Sequence, residues 1–231
     1  MLNLVGVNSF YGNSPVLQGI DFTAEDGSLV GVLGRNGVGK TTLMRTIMGL
    51  TDRVTGTVEL DGADITGMRT NKRAHKGIAY VPQGRGILPR FTVADNIRMG
   101  TFARAGKSRE LPEQALELFP YLRDNLGRQA GNLSGGQQQQ LAIARALAAD
   151  PKVLLLDEPT EGIQPNIVEQ IEEVIIKLNQ DLGLTIVLVE QNVTFARRAS
   201  SHFYFLEKGR VAAKGAVDRL TDDLVHEYMT V

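Results

Sequence analysis

The chain has 231 residues, 42% of them hydrophobic, and a formal net charge of -1; this is enough apolar material for a packed core and too much for a disordered chain. Balanced charge supplies no basic stripe to neutralise phosphates, which sets nucleic-acid binding aside. The absence of cysteine excludes disulfides, thiolate zinc sites and cysteine nucleophiles.

The opening segment MLNLVGVNSFYGN has neither the basic start nor the apolar stretch of a signal peptide. No run approaches the roughly 18 apolar residues of a spanning helix. The expected location is therefore the cytoplasm, with any membrane link made through a partner. LNLVGV and VLQGIDFTA, separated by Gly12-Asn13, and SLVGVLG after Asp26-Gly27 read as strands of an antiparallel β region. A glycine loop follows, then the helix TTLMRTIMGL ending near Gly49, then the strands TGTVELDG and GIAYVPQ, the second closed by Pro82. From about Thr92 to Ala149 apolar residues recur at helical spacing, through EQALELF and QQLAIARALAA, which predicts an inserted helical segment. After Pro151 strand VLLLD, helix IVEQIEEVIIKL, strand TIVLVE and helix VTFARRA alternate, the pattern of parallel strands with crossover helices. HFYFLEKGRVAAKG reads as a hairpin turning at Lys208-Gly209, and AVDRLTDDLVHEYM as a final surface helix.

Three short segments carry chemistry. Gly34, Gly39, Lys40 and Thr41 have the spacing GxxxxGK followed by Ser or Thr, on a loop between a strand and a helix. Glycines there let backbone N–H groups converge on phosphate oxygens, and the helix N-terminus adds positive potential. Lys40 would meet the outer phosphates, Thr41 would ligate Mg²⁺, and Asn36, Gly37, Gly39 and Thr42 would complete the cradle. Asp157 and Glu158 follow an apolar strand, at the edge where parallel sheets bind ligands. Asp157 would hold the Mg²⁺ hydration shell, and Glu158 would orient or deprotonate water. Leu133 to Gln137, LSGGQ, starts a helix with Ser134 as N-cap, and Gly135 and Gly136 leave its first N–H groups open to a second anion.

A phosphate loop, a glutamine after a strand, LSGGQ and an apolar strand ending in Asp-Glu together resemble the ABC ATPase family over essentially the whole chain. The resemblance implies an α/β fold: a P-loop NTPase core with a mostly parallel sheet (residues 1–91 and 150–231), an N-terminal antiparallel β region and an inserted helical subdomain (about 92–149) carrying LSGGQ. It implies ATP and Mg²⁺, and a head-to-tail pair in which each ATP lies between one chain's phosphate loop and the other's Ser134, Gly135, Gly136 and Gln137. It gives Tyr11 the stacking of adenine, although a tyrosine beside a Gly-Asn turn also suits plain surface. Gln83 is assigned to Mg²⁺ contact and to linkage with the helical subdomain, although a polar loop residue after Pro82 is the plainer reading. Nearby Ile87, Leu88, Phe91, Arg85 and Arg90 form a candidate docking surface for a permease, with a loop packing onto its own domain as the alternative.

Two positions depart from the commoner family pattern. Glu161, Gly162, Ile163 and Gln164 stand where many relatives read SALD, and Gln191 stands in place of a switch histidine. With YVPQGR and DEPTEGIQP these departures resemble an ATPase subunit of branched-chain amino acid and urea importers, the urea branch most. Expected partners are a sibling ATPase, permease subunits at the cytoplasmic face of the inner membrane and, indirectly, an extracytoplasmic solute-binding protein. A soluble ABC ATPase with a non-transport role is the alternative. His75, His202 and His226 match no motif position.

Overall fold

In the computed structural model, which describes residues 1–104 and 109–229, the run VLLLD forms β7 (Val153–Asp157) and its side chains alternate between two cores. Val153 and Leu155 enter one hydrophobic cluster, and Leu154 and Leu156 enter another. The period of two explains why such a continuous apolar run is a central strand covered on both faces.

The chain order is β1 (Leu2–Tyr11), β2 (Ser14–Ala24), β3 (Leu29–Leu33), α1 (Lys40–Met48), β4 (Arg53–Leu60), β5 (Ala63–Asp64), α2 (Thr70–His75), β6 (Ile78–Val81), α3 (Val93–Gly100), α4 (Glu113–Leu118), α5 (Pro120–Asp124) and α6 (Gly135–Leu147). After β7 come α7 (Pro165–Gln180), β8 (Thr185–Val189), α8 (Val193–Ala199), β9 (His202–Glu207), β10 (Arg210–Ala216) and α9 (Asp222–Met229). β2, β1, β4 and β5 make an antiparallel four-stranded sheet, and β10, β9, β3, β8, β7 and β6 a six-stranded one. In the larger sheet every pairing is parallel except β9 with β10.

One core packs both sheets around α1, through Leu4, Phe22, Leu43, Ile47, Leu155 and Val187. The other joins the opposite face of the larger sheet to α3, α6 and α7, through Leu156, Ile97, Leu141 and Ile175. Residues 105–108, within the segment expected to be helical, lie outside the described residues.

SLVGVLG, expected in the antiparallel region, instead forms β3 in the larger sheet, parallel to β8 and β9, and three further local differences follow. EQALELF is helical only to Leu118, because Phe119 (φ -130°, ψ 73°) precedes Pro120, whose ring disfavours helical backbone in the preceding residue. The final helix is divided: a 3₁₀ turn spans Val217–Arg219, and α9 starts after Leu220 (ψ 78°). α9 is also not purely superficial, since Leu224, Val225 and Tyr228 pack on a small core around Phe205.

The third difference is α2, whose polar sequence TNKRAH has no apolar stripe to announce it. Its anchor is Arg73, 1% exposed, whose guanidinium donates to Thr46 O and Ile47 O at the end of α1, and to Met68 O and Thr66 O. The cation satisfies carbonyls that a helix C-terminus leaves without intrahelical donors, and it complements the helix dipole. Arg73→Ala is therefore expected to lower unfolding stability by about 3 kcal/mol through several orphaned buried carbonyls, as read by urea denaturation.

Candidate functional site

β3 is buried along its length and delivers the chain into the phosphate loop at a fixed position. Gly34 (φ 144°) has room for no side chain: a Cβ there would lie 2.5 Å from Leu206 O, and one at Gly39 (φ 112°) would lie 2.9 Å from Leu17 Cδ2. The loop is thus pressed between β9 and β2, and only glycine meets both the backbone angle and the close approach. Gly39 precedes α1 with no side-chain cap, which leaves the first N–H groups of the helix directed at the loop.

Lys40 is buried and donates from Nζ to Gly34 O at 2.7 Å and Arg35 O at 3.0 Å. Its Nζ also lies 3.4 Å from Glu158 Oε1. Asp157, at the end of β7, is fully buried and accepts from Thr41 Oγ1 at 3.2 Å and from Tyr80 OH at 3.0 Å. Burial pushes its carboxyl above the ordinary range, against the lowering effect of the two hydroxyl donors. Burial, reinforced by Asp157, likewise pushes up the Tyr80 phenol, which therefore stays a hydrogen-bond donor.

Glu158 adopts a left-handed backbone (φ 48°), uncommon for a residue with a side chain. The turn takes its carboxylate off the line of β7 and into reach of three donors. Besides Lys40, Gln83 Nε2 donates to Oε2 at 3.2 Å and Gln191 Nε2 to Oε1 at 3.0 Å. Gln83 also donates to Glu161 at 2.7 Å. A cleft of about 270 Å³ is lined by Asn36, Gly37, Gly39, Lys40, Thr41 and Thr42 together with Gln83, Glu158 and Val16.

Ser134 caps α6 in a capping box with Gln137, and Ser134, Gly135, Gly136 and Gln137 do not line that cleft. The two glycines have a packing reason. A Cβ on Gly136 would lie 2.4 Å from Ile167 Cγ2, and one on Gly135 would lie 2.9 Å from an Arg85 nitrogen. Tyr11 closes β1, with the Arg45 guanidinium over its ring at 5.4 Å from the centroid. Gln164 is the N-terminal neighbour of α7 and makes no side-chain cap. His75, His202 and His226 are exposed and away from the cleft.

Sequence reasoning missed Val16 and Tyr80. An aliphatic residue within a strand carries no chemical signal, and Tyr80 meets Asp157 across 77 residues of chain.

The ABC transporter family profile matches residues 17–161. The chain is 39% identical over 212 residues to BraG, a high-affinity branched-chain amino acid transport ATP-binding protein of Pseudomonas aeruginosa, with 91% of each chain covered. It is 40% identical over 223 residues to LivF, a probable branched-chain amino acid transport ATP-binding protein of Archaeoglobus fulgidus, covering 96% of this chain and 94% of that one. Its fold matches a dimeric post-hydrolysis ATP-binding cassette, MJ0796, bound to ADP and Pi, with a TM-score of 0.83 at 26% identity, over 94% of this chain and 99% of the other. A phosphate-binding loop facing a carboxylate pair, matched to this family over most of its length, makes the chain a member of the ABC transporter family: an ATP-binding subunit that hydrolyses ATP.

Proposed function

We propose that this chain hydrolyses Mg-ATP within a head-to-tail pair of ATPase subunits and so powers import of a small solute through a separate permease. The observation that carries the proposal is the meeting of two segments at one cleft: Lys40 and Thr41 at the start of α1 line it with Glu158, and Asp157, at the end of β7, holds Thr41 from behind. ATP phosphates entering it meet the Lys40 ammonium and the N–H groups at the start of α1. Lys40 then exchanges its contacts with Gly34 O, Arg35 O and Glu158 for phosphate oxygens.

Thr41, Gln83 and Asp157 form the hard oxygen set that suits Mg²⁺, and Asp157 is already aligned by Thr41 and Tyr80. Among the described residues no group of three or more His, Cys, Asp or Glu stands together as a metal cage; this fits a site completed by phosphates and water. The ion, when bound, neutralises charge on the outer phosphates. Glu158 orients the attacking water and accepts its proton. Tyr11 stacks on adenine with the ring face opposite Arg45, and the partner's LSGGQ segment closes the site.

A groove of about 860 Å³ lies between α1, α2, β6, α3 and α6, with Leu50, Leu88, Met99 and Ala103 on its walls. It shares Thr41 and Gln83 with the nucleotide cleft, which makes it the seat for the permease in this reading. Of the docking residues expected from sequence, Leu88 lines the groove, whereas Ile87 packs on the core and Phe91 is exposed. Among the described residues no helix is long and apolar enough to cross a membrane, and attachment through the permease would hold the chain at the cytoplasmic face.

The solute we infer is urea, a short-chain amide or a branched-chain amino acid. The named relatives support the amino acid, and the YVPQGR and DEPTEGIQP segments support urea. Because the chain has no cysteine, Met99→Cys gives a single crosslinking site in the groove. A thiol crosslinker applied to native membranes is expected to join it to a membrane-spanning subunit. The complex in vesicles should then take up labelled urea, acetamide or leucine in an ATP-dependent way. Crosslinks to soluble protein alone, or ATP turnover with no uptake of any of the three, would overturn the transport reading.

A further inference from the structure

Glu190 is the most deeply buried carboxylate near the cleft without an assigned role: it is 3% exposed, and no ion pair involves it among the described residues. Burial raises its proton affinity, partly opposed by its hydrogen bonds. A carboxylate placed so deep is costly unless its oxygens are occupied, and here each has a defined task. Oε1 accepts from Thr160 Oγ1 at 2.8 Å. Oε2 accepts from the backbone N–H groups of Gln191 at 3.0 Å and Asn192 at 3.3 Å.

Those two oxygens grip two different loops. Thr160 belongs to the turn after β7 that carries Glu158, a turn closed by Glu161 N donating to Glu158 O at 3.2 Å. Gln191 and Asn192 form the loop between β8 and α8, and the Gln191 amide returns to Glu158 Oε1 at 3.0 Å. Glu158, Thr160, Glu190 and Gln191 therefore form a closed ring. Glu190 is its far side, outside the cleft lining, and Glu158, which lines the cleft, is its near side.

We propose that Glu190 is a positioning residue for ATP hydrolysis, holding the Glu158 turn and the Gln191 loop in one register so that the Gln191 amide stays on Glu158. It acts through these two residues and touches no reacting atom. The left-handed backbone of Glu158 gives the ring a mechanical purpose, since an uncommon conformation persists only where its surroundings over-determine it. The inference rests on Glu158 being the residue that orients water, and Glu158→Gln is carried as the control for that reading.

The test measures ATP turnover of the transporter complex containing the full-length chain, with affinity for a non-hydrolysable ATP analogue measured in parallel. Glu190→Ala is expected to lower kcat about tenfold or more, since small misplacements of a reacting group are costly, while analogue affinity changes less than about twofold. Glu190→Gln should recover most of the loss, because its oxygen can take the two N–H donors and its amide can donate to a rotated Thr160 hydroxyl. Thr160→Val breaks the ring at the other end and serves if Glu190→Ala misfolds; it should slow turnover alone and add nothing in the Glu190→Ala background, as expected for members of one network.

Wild-type turnover in both Glu190→Ala and Thr160→Val, or losses that multiply in the double variant, would overturn the proposal. If those outcomes came with an inactive Glu158→Gln, only the role of Glu190 would fall. An active Glu158→Gln would instead remove the reading on which the proposal rests.

Discussion

Lys40→Ala is expected to weaken binding of a non-hydrolysable ATP analogue by about 2–5 kcal/mol, the usual cost of truncating a buried charged hydrogen-bonding group. On the affinity scale this is roughly thirtyfold to several thousandfold. The geometry favours the upper part of that range. Lys40 is 4% exposed, so its ammonium meets phosphate in a site where little water screens the attraction. Among the described residues no other cation lines the cleft, where the side chains besides Lys40 are neutral or, at Glu158, acidic.

The variant should still fold, because Glu158 keeps the Gln83 and Gln191 donors and the loop is held by backbone contacts such as Gly209 N to Val38 O at 2.9 Å. Equilibrium titration with parallel thermal unfolding separates the two effects. Unchanged affinity in a folded Lys40→Ala chain would remove the phosphate-loop assignment.

How much of this could be read from the sequence depended on whether the chemistry lay along the chain or across it. The phosphate loop is contiguous, and its glycines are dictated by the backbone, so Gly34, Gly39, Lys40 and Thr41 were readable at once. The Asp157-Glu158 pair was readable because the alternating cores of β7 leave an unmistakable apolar run before it. The contacts that tie the site together across the chain were not, although the family resemblance already names Gln83 and Gln191. Tyr80 meets Asp157 across 77 residues, Gln83 meets Glu158 across 75, and Thr160 meets Glu190 across 30. No local pattern encodes such meetings, which follow from the strand order of the larger sheet.

β3 pairs with β8 and β9, far removed in sequence, and that placement alone sets the phosphate loop beside the ends of β7 and β8. Arg73 shows the same limit in the fold. Its helix has no apolar periodicity to announce it, and its worth lies in carbonyls contributed by the end of α1 and the segment before α2. The glycines of LSGGQ were readable as an exposed helix start, but the contact of Gly136 with Ile167 came only from the packing of α6 on α7.

Glu158→Gln is expected to bind ATP nearly as well as the unmodified chain and to hydrolyse it about 10²–10⁴-fold more slowly, the range lost with a general base. The substitution preserves size and removes the basic oxygen, and the surrounding donors accommodate it. Gln83 Nε2 and Gln191 Nε2 both point at Glu158, and a carboxamide offers only one oxygen to them. One of the two neighbouring amides must therefore turn to accept from the new NH₂ group. Gln191 is exposed and free to do so without opening a buried site, so binding survives while proton transfer does not.

Single-turnover hydrolysis in the assembled complex reads the rate, and dimers trapped with ATP should accumulate in the variant. The same measurement tests a further expectation, that the two sites of the proposed pair differ in rate, because Gln191 can hold Glu158 but cannot become cationic near neutral pH. If this chain's phosphate loop forms the slower site of the pair, the matching substitution in its sibling costs more turnover than Glu158→Gln does. An equal loss from the two subunits would set the sites level, and a Glu158→Gln complex turning over at the unmodified rate would show that another group accepts the water's proton.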